Sequence, residues 1–410
     1  MVYTRIVIIC LLIIAVHLLD NDLERTPVMG FLTWERFRCN VDCTKSPNDC
    51  ISENLFISIT DAMISQGLRD AGYNYICLDD CWFANTRNKS TGELMPNATR
   101  FPSGIKYLAD YVHERQMKFG IYEDFGSKTC AGYPGSLYHL KLDANTFAKW
   151  NVDLLKFDGC NVNLDLMNTG YPEMSLYLQA SGRKMIFGCE WPDYLRNGKR
   201  EILYNKVTYY CNHFRTYNDI QDNWDSVINI IDFFGDNSEE FRQIHGPGHF
   251  VDPDMILAGN SGTTEDQQKI QFVMWCMMSA PLLLSNDPRN ISKTVLDLIT
   301  NPSLISINQD ICGHFPYRIQ SGINQVWVKF LCNNQYSGSY AIVYFSQNTT
   351  NNTFAFSLEK LKIFGSNYST YMIFDVFSRS KVTEYPVTTS YVLKATLSSF
   401  DLRLYFVKLY

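Results

Sequence analysis

The chain has 410 residues, 46% hydrophobic and 19% charged, which suits one large folded unit or a large domain with a smaller one and excludes a disordered tail protein. Its 36 basic and 42 acidic side chains sum to −6 with no long basic run, so a nucleic-acid groove would have to be built against the overall field, and no nucleic-acid partner is expected. Aromatic residues make up 14%, a share that core packing explains and that sugar-binding clefts also use. At the start, Arg5, an apolar run from Ile6 to Val16 and polar residues from Asp20 have the layout of a signal peptide, placed at 1–19. The run is shorter than the roughly 20 apolar residues a spanning helix needs. A secretory-pathway protein without a transmembrane segment, lysosomal or secreted, is therefore expected. Of 13 cysteines, Cys10 falls inside the signal; the others suit an oxidising compartment, and Cys39, Cys43 and Cys50 lack the paired Cys or His that would complete a zinc set. Asn-x-Ser/Thr sequons at Asn88, Asn97, Asn290, Asn348, Asn351 and Asn367 are glycosylation candidates on that route.

Short apolar runs ending in polar or acidic residues then alternate with stretches of helical spacing. The expected strands are Gly30 to Trp34, Tyr75 to Asp80, Lys118 to Glu123, Leu154 to Gly159, Met185 to Glu190, Tyr209 to Arg215, Phe250 to Met255 and Pro281 to Ser285. Helices are expected over Ser52 to Ala71, Gly104 to Arg115 and Thr264 to Met278. Eight such units fit a closed (β/α)8 barrel, assigned to 20–314, better than an open doubly wound sheet, whose Gly-rich phosphate turn is missing. Beyond Asn308 short alternating runs take over, Asn324 to Phe330, Tyr340 to Phe345 and Tyr391 to Leu397 among them, and 315–410 reads as an antiparallel β domain of the sandwich type.

In such a barrel the active site lies at the C-terminal ends of the strands. The residues there are Trp34, Asp79 and Asp80, Tyr122, Lys156 and Asp158, Glu190, Arg215 with Asp219 beyond it, and Asp254. One acidic residue at a strand end is usually a helix cap; several converging on one face mark a site. There is no His pair at ligand spacing, no Gly-x-Ser-x-Gly elbow and no phosphate loop, so no metal or other cofactor is expected. Carboxylates, one Lys, one Arg and aromatic rings match glycoside hydrolysis, in which one carboxylate attacks or activates water and another donates a proton.

The segments Arg25-Thr26-Pro27, Trp34-Glu35-Arg36-Phe37, Cys77-Leu78-Asp79-Asp80-Cys81-Trp82, Lys128-Thr129-Cys130-Ala131-Gly132, Leu155-Lys156-Phe157-Asp158-Gly159-Cys160 and Asp252-Pro253-Asp254-Met255 resemble the animal α-galactosidase and α-N-acetylgalactosaminidase family, glycoside hydrolase family 27. The resemblance runs from about Asp20 to Asp310 and more weakly to the C-terminus. It implies the same barrel and β domain, a retaining exo-glycosidase acting on terminal α-galactose of a glycoconjugate, and a homodimer. Carried over, Asp158 would be the nucleophile and Asp219 the acid/base, about 5 Å apart as a retaining mechanism needs. Lys156 points to the same side as Asp158 and would keep it ionised. Asp79 and Asp80 would hold the 4- and 6-hydroxyls, Arg215 the 2- and 3-hydroxyls and Trp34 an apolar wall; Tyr122 would lie near the nucleophile, with Tyr194 and Asp254 among the binding residues. The resemblance pairs Cys130 with Cys160 beside the sugar, Cys39 with Cys81, Cys43 with Cys50 and Cys189 with Cys211, and leaves Cys77 and Cys276 free. Cys312 and Cys332 have no counterpart, and a bridge between them is left open.

Within this family a Glu after the fifth strand faces a 2-hydroxyl and a Ser makes room for an acetamido group; Glu190 therefore implies galactose. Asp193 stands where the α-galactosidases carry Leu and the aminosugar enzymes Ala. It would either perturb the neighbouring carboxylates and read another substituent, or turn to solvent and change little. His249-Phe250-Val251 replaces the usual Gly-Trp-Asn, which implies a differently shaped loop beside the site. The alternatives are an α-N-acetylgalactosaminidase and a catalytically silent sugar-binding protein on the same fold.

Overall fold

The structure, a computed structural model, describes residues 21–332, 339–348, 350–364 and 370–409. The expected signal segment and Asn367 lie outside them. Eight short strands, β1 (Met29–Leu32), β2 (Tyr75–Leu78), β3 (Lys118–Asp124), β4 (Leu154–Asp158), β5 (Ile186–Cys189), β6 (His213–Arg215), β7 (Phe250–Asp252) and β8 (Leu282–Leu284), form one parallel sheet in the order β7-β6-β5-β4-β3-β2-β1-β8. A parallel bridge from Ile256, just past β7, to Leu284 joins the two ends, making a (β/α)8 barrel. Most of the strand residues are buried, since helices cover the outside and side chains fill the inside, which is why the strands read as continuous apolar runs. Helices start where the sequence supplies a cap: Ser52 accepts the Leu55 N–H ahead of Glu53–Ser65, and Thr264 and Gln267 form a reciprocal capping box ahead of Glu265–Met277.

Two expectations are corrected. Tyr209 and Tyr210 do not open the sixth strand; they end a helix, Tyr204–Tyr210, and β6 begins only at His213. The Tyr, Val and Thr residues there favour strands, but Val207 and Thr208 are buried at helical spacing from Tyr204, and that packing decides the conformation. His249, Phe250 and Val251 do not form a loop beside the site either. They lead into β7 at its N-terminal end, the far side of the barrel, where all three are buried and Phe250 packs on His245 with centroids 5.2 Å apart.

After a helix at Pro302–Asn308 the chain becomes antiparallel: β9 (Tyr317–Gln320), β10 (Asn324–Leu331), β11 (Ser339–Ser346), β12 (Asn352–Ser357), β13 (Thr370–Asp375), β14 (Val387–Thr388), β15 (Val392–Leu397) and β16 (Leu402–Leu409). Six strands pair in the order β14-β13-β16-β11-β10-β9, and β12 pairs with β15. Alternation along the strands separates two cores. Trp327, Ala341, Val343, Phe345, Leu402, Leu404 and Phe406 join the barrel core, whereas Val326, Val328, Tyr340, Ile342, Tyr344, Tyr405 and Val407 pack with Phe354, Phe356, Leu393 and Leu397 of the β12–β15 pair.

All four pairings implied by the resemblance are present as disulfides, and Cys312 bonds to Cys332. Cys77 and Cys276 are free and buried. Among the described residues no helix is long and apolar enough to cross a membrane. Asn290 and Asn351 are exposed, and Asn88, Asn97 and Asn348 are half-buried.

Candidate active site

Parallel strands that stop together leave their last side chains on one rim. Trp34 opens a short helix just after β1; Asp79 and Asp80 follow β2; Tyr122 lies in β3 and Lys156 and Asp158 in β4. Glu190 follows β5 and starts the helix Trp191–Asn197, which carries Asp193 and Tyr194. Arg215 ends β6, Asp219 is four residues further on, Asp254 lies beyond β7, and Cys130 and Cys160 come from the loops after β3 and β4. Every one of these fourteen expected side chains lines a single cavity of about 360 Å³, together with Asn197, Asn218 and Met255.

The β3–β4 register sets Tyr122 beside Lys156 and Asp124 beside Asp158. Asp158 is cradled: the Tyr122 hydroxyl donates to its Oδ2 at 2.9 Å, and the Tyr194 hydroxyl (2.6 Å) and the Gly159 N–H (2.8 Å) donate to its Oδ1. Lys156 Nζ lies 2.9 Å from Asp79 Oδ2 and 3.8 Å from Glu190 Oε1. Burial acts to lower the lysine's pKa, but Asp79, Glu190 and Asp158 outweigh it and hold the pKa above the ordinary range. Asp79 is nonetheless pushed up by burial, and Asp80 reaches about 6 for the same reason, although the N–H groups of Ala131 (3.0 Å) and Cys81 (2.5 Å) donate to its carboxylate.

On the opposite wall Arg215 serves three carboxylates, Asp219 at 3.0 Å, Asp254 at 3.1 Å and Glu190 at 3.4 Å. The Arg215 charge holds Asp219 below the usual carboxylate range, whereas burial drives Glu190 well above it. Asp219 stands at the rim, its side chain 65% exposed against 6% for Glu190, so the two carboxylates meet the same guanidinium from different solvation. The loop carrying Asp219 is pinned: the Ile220 N–H donates to Asp254 Oδ2 (2.8 Å), Arg38 donates to Gln221 Oε1 (3.0 Å), and the Asp222 N–H donates to Glu35 Oε1 (2.8 Å).

Asp193 does not turn to solvent. It is buried at the cavity wall, where Asn197 Nδ2 donates to it at 3.0 Å and Arg196 lies 3.4 Å away, and burial raises its pKa. Two acidic residues outside the expected set support the site. Asp124 accepts the N–H groups of Gly126 (2.5 Å) and Cys160 (2.9 Å), and burial, reinforced by Asp158, pushes its carboxyl well up. It sits one residue past the expected end of the third strand. A β-carbon on Gly126 would fall 1.8 Å from the Cys160 carbonyl oxygen, so a glycine there lets the two loops cross. Glu35, inside the Trp34-Glu35-Arg36-Phe37 segment, is buried beside Arg38, and burial raises its carboxyl to about 7. The ligand-type atoms of Asp124, Cys130, Asp158 and Cys160 lie within 4.8 Å of one another, as do those of Asp310, Cys312, His314 and Cys332. In each group the two sulfurs are bonded to each other, which removes the thiolates a soft-metal site uses.

Residues 26–310 match the family model described as alpha galactosidase A. The chain is 47% identical to α-galactosidase A of Homo sapiens over 311 residues, 75% of this chain and 72% of the relative. It is 44% identical to α-N-acetylgalactosaminidase of Mus musculus over 347 residues, 84% of this chain and 82% of the relative. The crystal structure of α-galactosidase I from Mortierella vinacea is similar with a TM-score of 0.83 at 27% identity, covering 95% of this chain and 98% of that one.

Proposed function

The chain belongs to the alpha galactosidase A family and is a glycosidase, and from that membership we propose that it removes terminal α-linked galactose from glycolipids, glycoproteins or oligosaccharides with retention of configuration. The observation that carries the reading is that Asp158, cradled by two tyrosine hydroxyls, and Asp219, held on Arg215, line one cavity from opposite walls. Asp158 attacks the anomeric carbon while Asp219 gives its proton to the departing glycosidic oxygen; Asp219 then takes a proton from water, whose oxygen displaces Asp158 from the glycosyl-enzyme. Beside Arg215 the Asp219 carboxylate is ionised, the form needed for the second step. It gains its proton for the first step when sugar hydroxyls engage the guanidinium and loosen its hold. Glu190, with Arg215, faces the 2-substituent and suits a hydroxyl; Asp79 and Asp80 take the 4- and 6-hydroxyls, where a wrong epimer would leave buried carboxylates unpaired. Five disulfides support maturation on an oxidising secretory route to the lysosome or the exterior, with the accessible sequons as acceptors, and the family resemblance supports a homodimer.

The test is hydrolysis of 4-nitrophenyl α-galactoside and of its α-N-acetylgalactosaminide by the secreted protein between pH 4 and 7. The galactoside is expected to be the better substrate, and Asp158→Asn is expected to lose turnover by a factor of about 10⁴ or more while still binding galactose. Preference for the N-acetylgalactosaminide would instead favour the aminosugar activity, and silence on both from folded protein would favour a sugar-binding role.

A further inference from the structure

A fully buried carboxyl outside the cavity, Glu123, takes no part in the chemistry above. Side chains alternate along β3, so Glu123 points away from Tyr122 and toward Asp143 of the helix Leu140–Lys149, which is fully buried too. The hydrogens around this pair can be counted. The two Nη groups of Arg87, from the segment after β2, carry four, and all are placed: on Asp143 Oδ1 (2.7 Å) and Oδ2 (2.6 Å), the Gly92 carbonyl (3.1 Å) and the Gly135 carbonyl (2.8 Å). None is left for Glu123, whose Oε1 lies 4.0 Å from Arg87 Nη2. The Ser136 hydroxyl has one hydrogen and lies 2.7 Å from Asp143 Oδ2 and 3.1 Å from Glu123 Oε1, so it serves one carboxyl at a time. Among the described residues Glu123 Oε2 has no hydrogen-bond partner. An ionised Glu123 would be a buried charge with at most one donor; a protonated one gives its own hydrogen to the Ser136 oxygen and frees the Ser136 hydroxyl to donate to Asp143. Burial, then Asp143 and Asp124, push the Glu123 carboxyl well above the usual range, against the pull of Arg87 and Ser136.

This cluster is the foot of the loop 126–137. Arg87 holds the Gly135 carbonyl, the Ser136 N–H donates to the Asp124 carbonyl (2.8 Å), and the Leu137 N–H donates to the Gly126 carbonyl (3.0 Å). At the tip of the same loop Cys130, bonded to Cys160, lines the cavity, and the Ala131 N–H donates to Asp80 Oδ2 at 3.0 Å. We propose that Glu123 is a positioning residue acting through Ser136: its proton completes the chain Glu123–Ser136–Asp143–Arg87 and holds the loop in its sugar-binding shape, and loss of that proton releases the loop. The direction follows from the hydrogens. With Glu123 protonated, each hydrogen of the chain has an acceptor and Asp143 is fully paired. With Glu123 ionised, two buried carboxylates face one arginine whose Nη hydrogens are all in use, so the loop is closed in acid and loosens as pH rises. The inference goes beyond the α-galactosidase reading and takes from it only that this cavity binds the sugar.

The experiment is hydrogen–deuterium exchange of the full-length secreted protein at pH 5 and 8.5, read by mass spectrometry over 126–137 with the intrinsic pH dependence of exchange divided out, in the wild-type protein, Glu123→Gln and Ser136→Ala. Glutamine cannot ionise, and its amide donates to Ser136 as the protonated carboxyl does. Wild-type protection of the loop is expected to fall about tenfold or more between the two pH values, the scale of a hydrogen bond to a charged group, whereas Glu123→Gln keeps its pH 5 protection at both. Ser136→Ala, with the chain cut, is expected to be weakly protected at both. Should Glu123→Gln misfold, Glu123→Ala, which also cannot ionise, supplies the comparison and is expected to show the same protection at both pH values. Wild-type protection that does not fall, a fall of equal size in the variant that cannot ionise, or a Ser136→Ala loop as protected as the wild-type loop at pH 5 overturns the inference. Exchange does not depend on turnover, so each of these failures leaves the α-galactosidase reading standing. Silence on every glycoside from protein that shows the expected exchange pattern overturns that reading and leaves the role of Glu123 standing.

Discussion

At the scale of single residues, the proposed chemistry turns on how the Asp158 side chain is held. Three donors reach it, and two of them are tyrosine hydroxyls whose ionisation is suppressed by burial and then by the Asp158 charge itself, so they remain donors throughout the working pH range. Donors on both oxygens fix the direction in which the carboxylate faces the cavity. Tyr194→Phe takes away the 2.6 Å bond and leaves ring packing in place. Its kcat/KM is expected to fall about tenfold, the scale of one hydrogen bond to a charged group. A kcat/KM that is unchanged would show that Tyr194 only shapes the wall. Asp124 has a different part. Its carboxylate is spent on the N–H groups of Gly126 and Cys160, so it shapes the loops on either side of Asp158 and does not face the cavity.

At the scale of elements, the barrel puts Asp158, the proposed nucleophile, on a strand and Asp219, the proposed acid/base, on a loop, and a loop needs holding. Residues 219–222 are held from the segment after β1 by Glu35 and Arg38 and from the segment after β7 by Asp254. Glu35 touches no cavity atom and acts through the Asp222 backbone, which makes it a positioning residue. Glu35→Ala is expected to lower kcat about tenfold with little change in KM, because a loosened loop misplaces Asp219, the proposed proton donor, after the sugar is bound. Glu35→Gln keeps an oxygen acceptor for the Asp222 N–H and is expected to recover most of that loss; equal losses in both variants would indicate that the Arg38 pair, and not the backbone bond, does the positioning. The site elements themselves were legible in the sequence because a strand end is marked twice, by an apolar run and by the polar residue that stops it. Legibility ended where one mark was missing. Asp124 follows Glu123, so two acidic residues compete for the end of β3, and Tyr204–Tyr210 is made of strand-favouring residues whose helical spacing spans barely two turns. The expected loop at His249-Phe250-Val251 conflicts with the expected strand Phe250 to Met255, which already sets that segment at the strand's start, away from the C-terminal ends where the site lies.

At the scale of the whole molecule, the buried charges set how stability follows pH, and two groups of side chains pull in opposite directions. Burial raises Glu35 from an ordinary 4.5 to about 7 and Asp80 from 3.8 to about 6, and raises Asp79, Asp193 and Glu190 as well. A carboxyl raised on folding binds its proton more tightly in the native state, so its contribution is complete below the unfolded value and is lost as pH rises through the folded one. Lys329 does the reverse. It leaves β10 to bury its Nζ between barrel and sheet, donating to the Ile307 carbonyl (2.7 Å), the Ser279 hydroxyl (2.5 Å) and the Cys276 carbonyl (3.3 Å), and burial lowers it from 10.5 to about 7. Its contribution is present at high pH and lost as pH falls toward 7, after which it changes little. From pH 7.5 to 5 His245, His249 and His314, which burial lowers, oppose the carboxyls, but the raised carboxyls outnumber them and Lys329 has nearly finished titrating, so the melting temperature is expected to rise across that interval. From pH 9 to 7 Lys329 opposes the carboxyls. Lys329→Met removes that opposition, so the variant is expected to gain more in melting temperature than the wild-type protein between pH 9 and 7 while following the same slope between 7.5 and 5. Differential scanning calorimetry at fixed ionic strength checks both intervals, and a wild-type melting temperature that falls from pH 7.5 to 5 would contradict the burial of protonated carboxyls on which the argument depends.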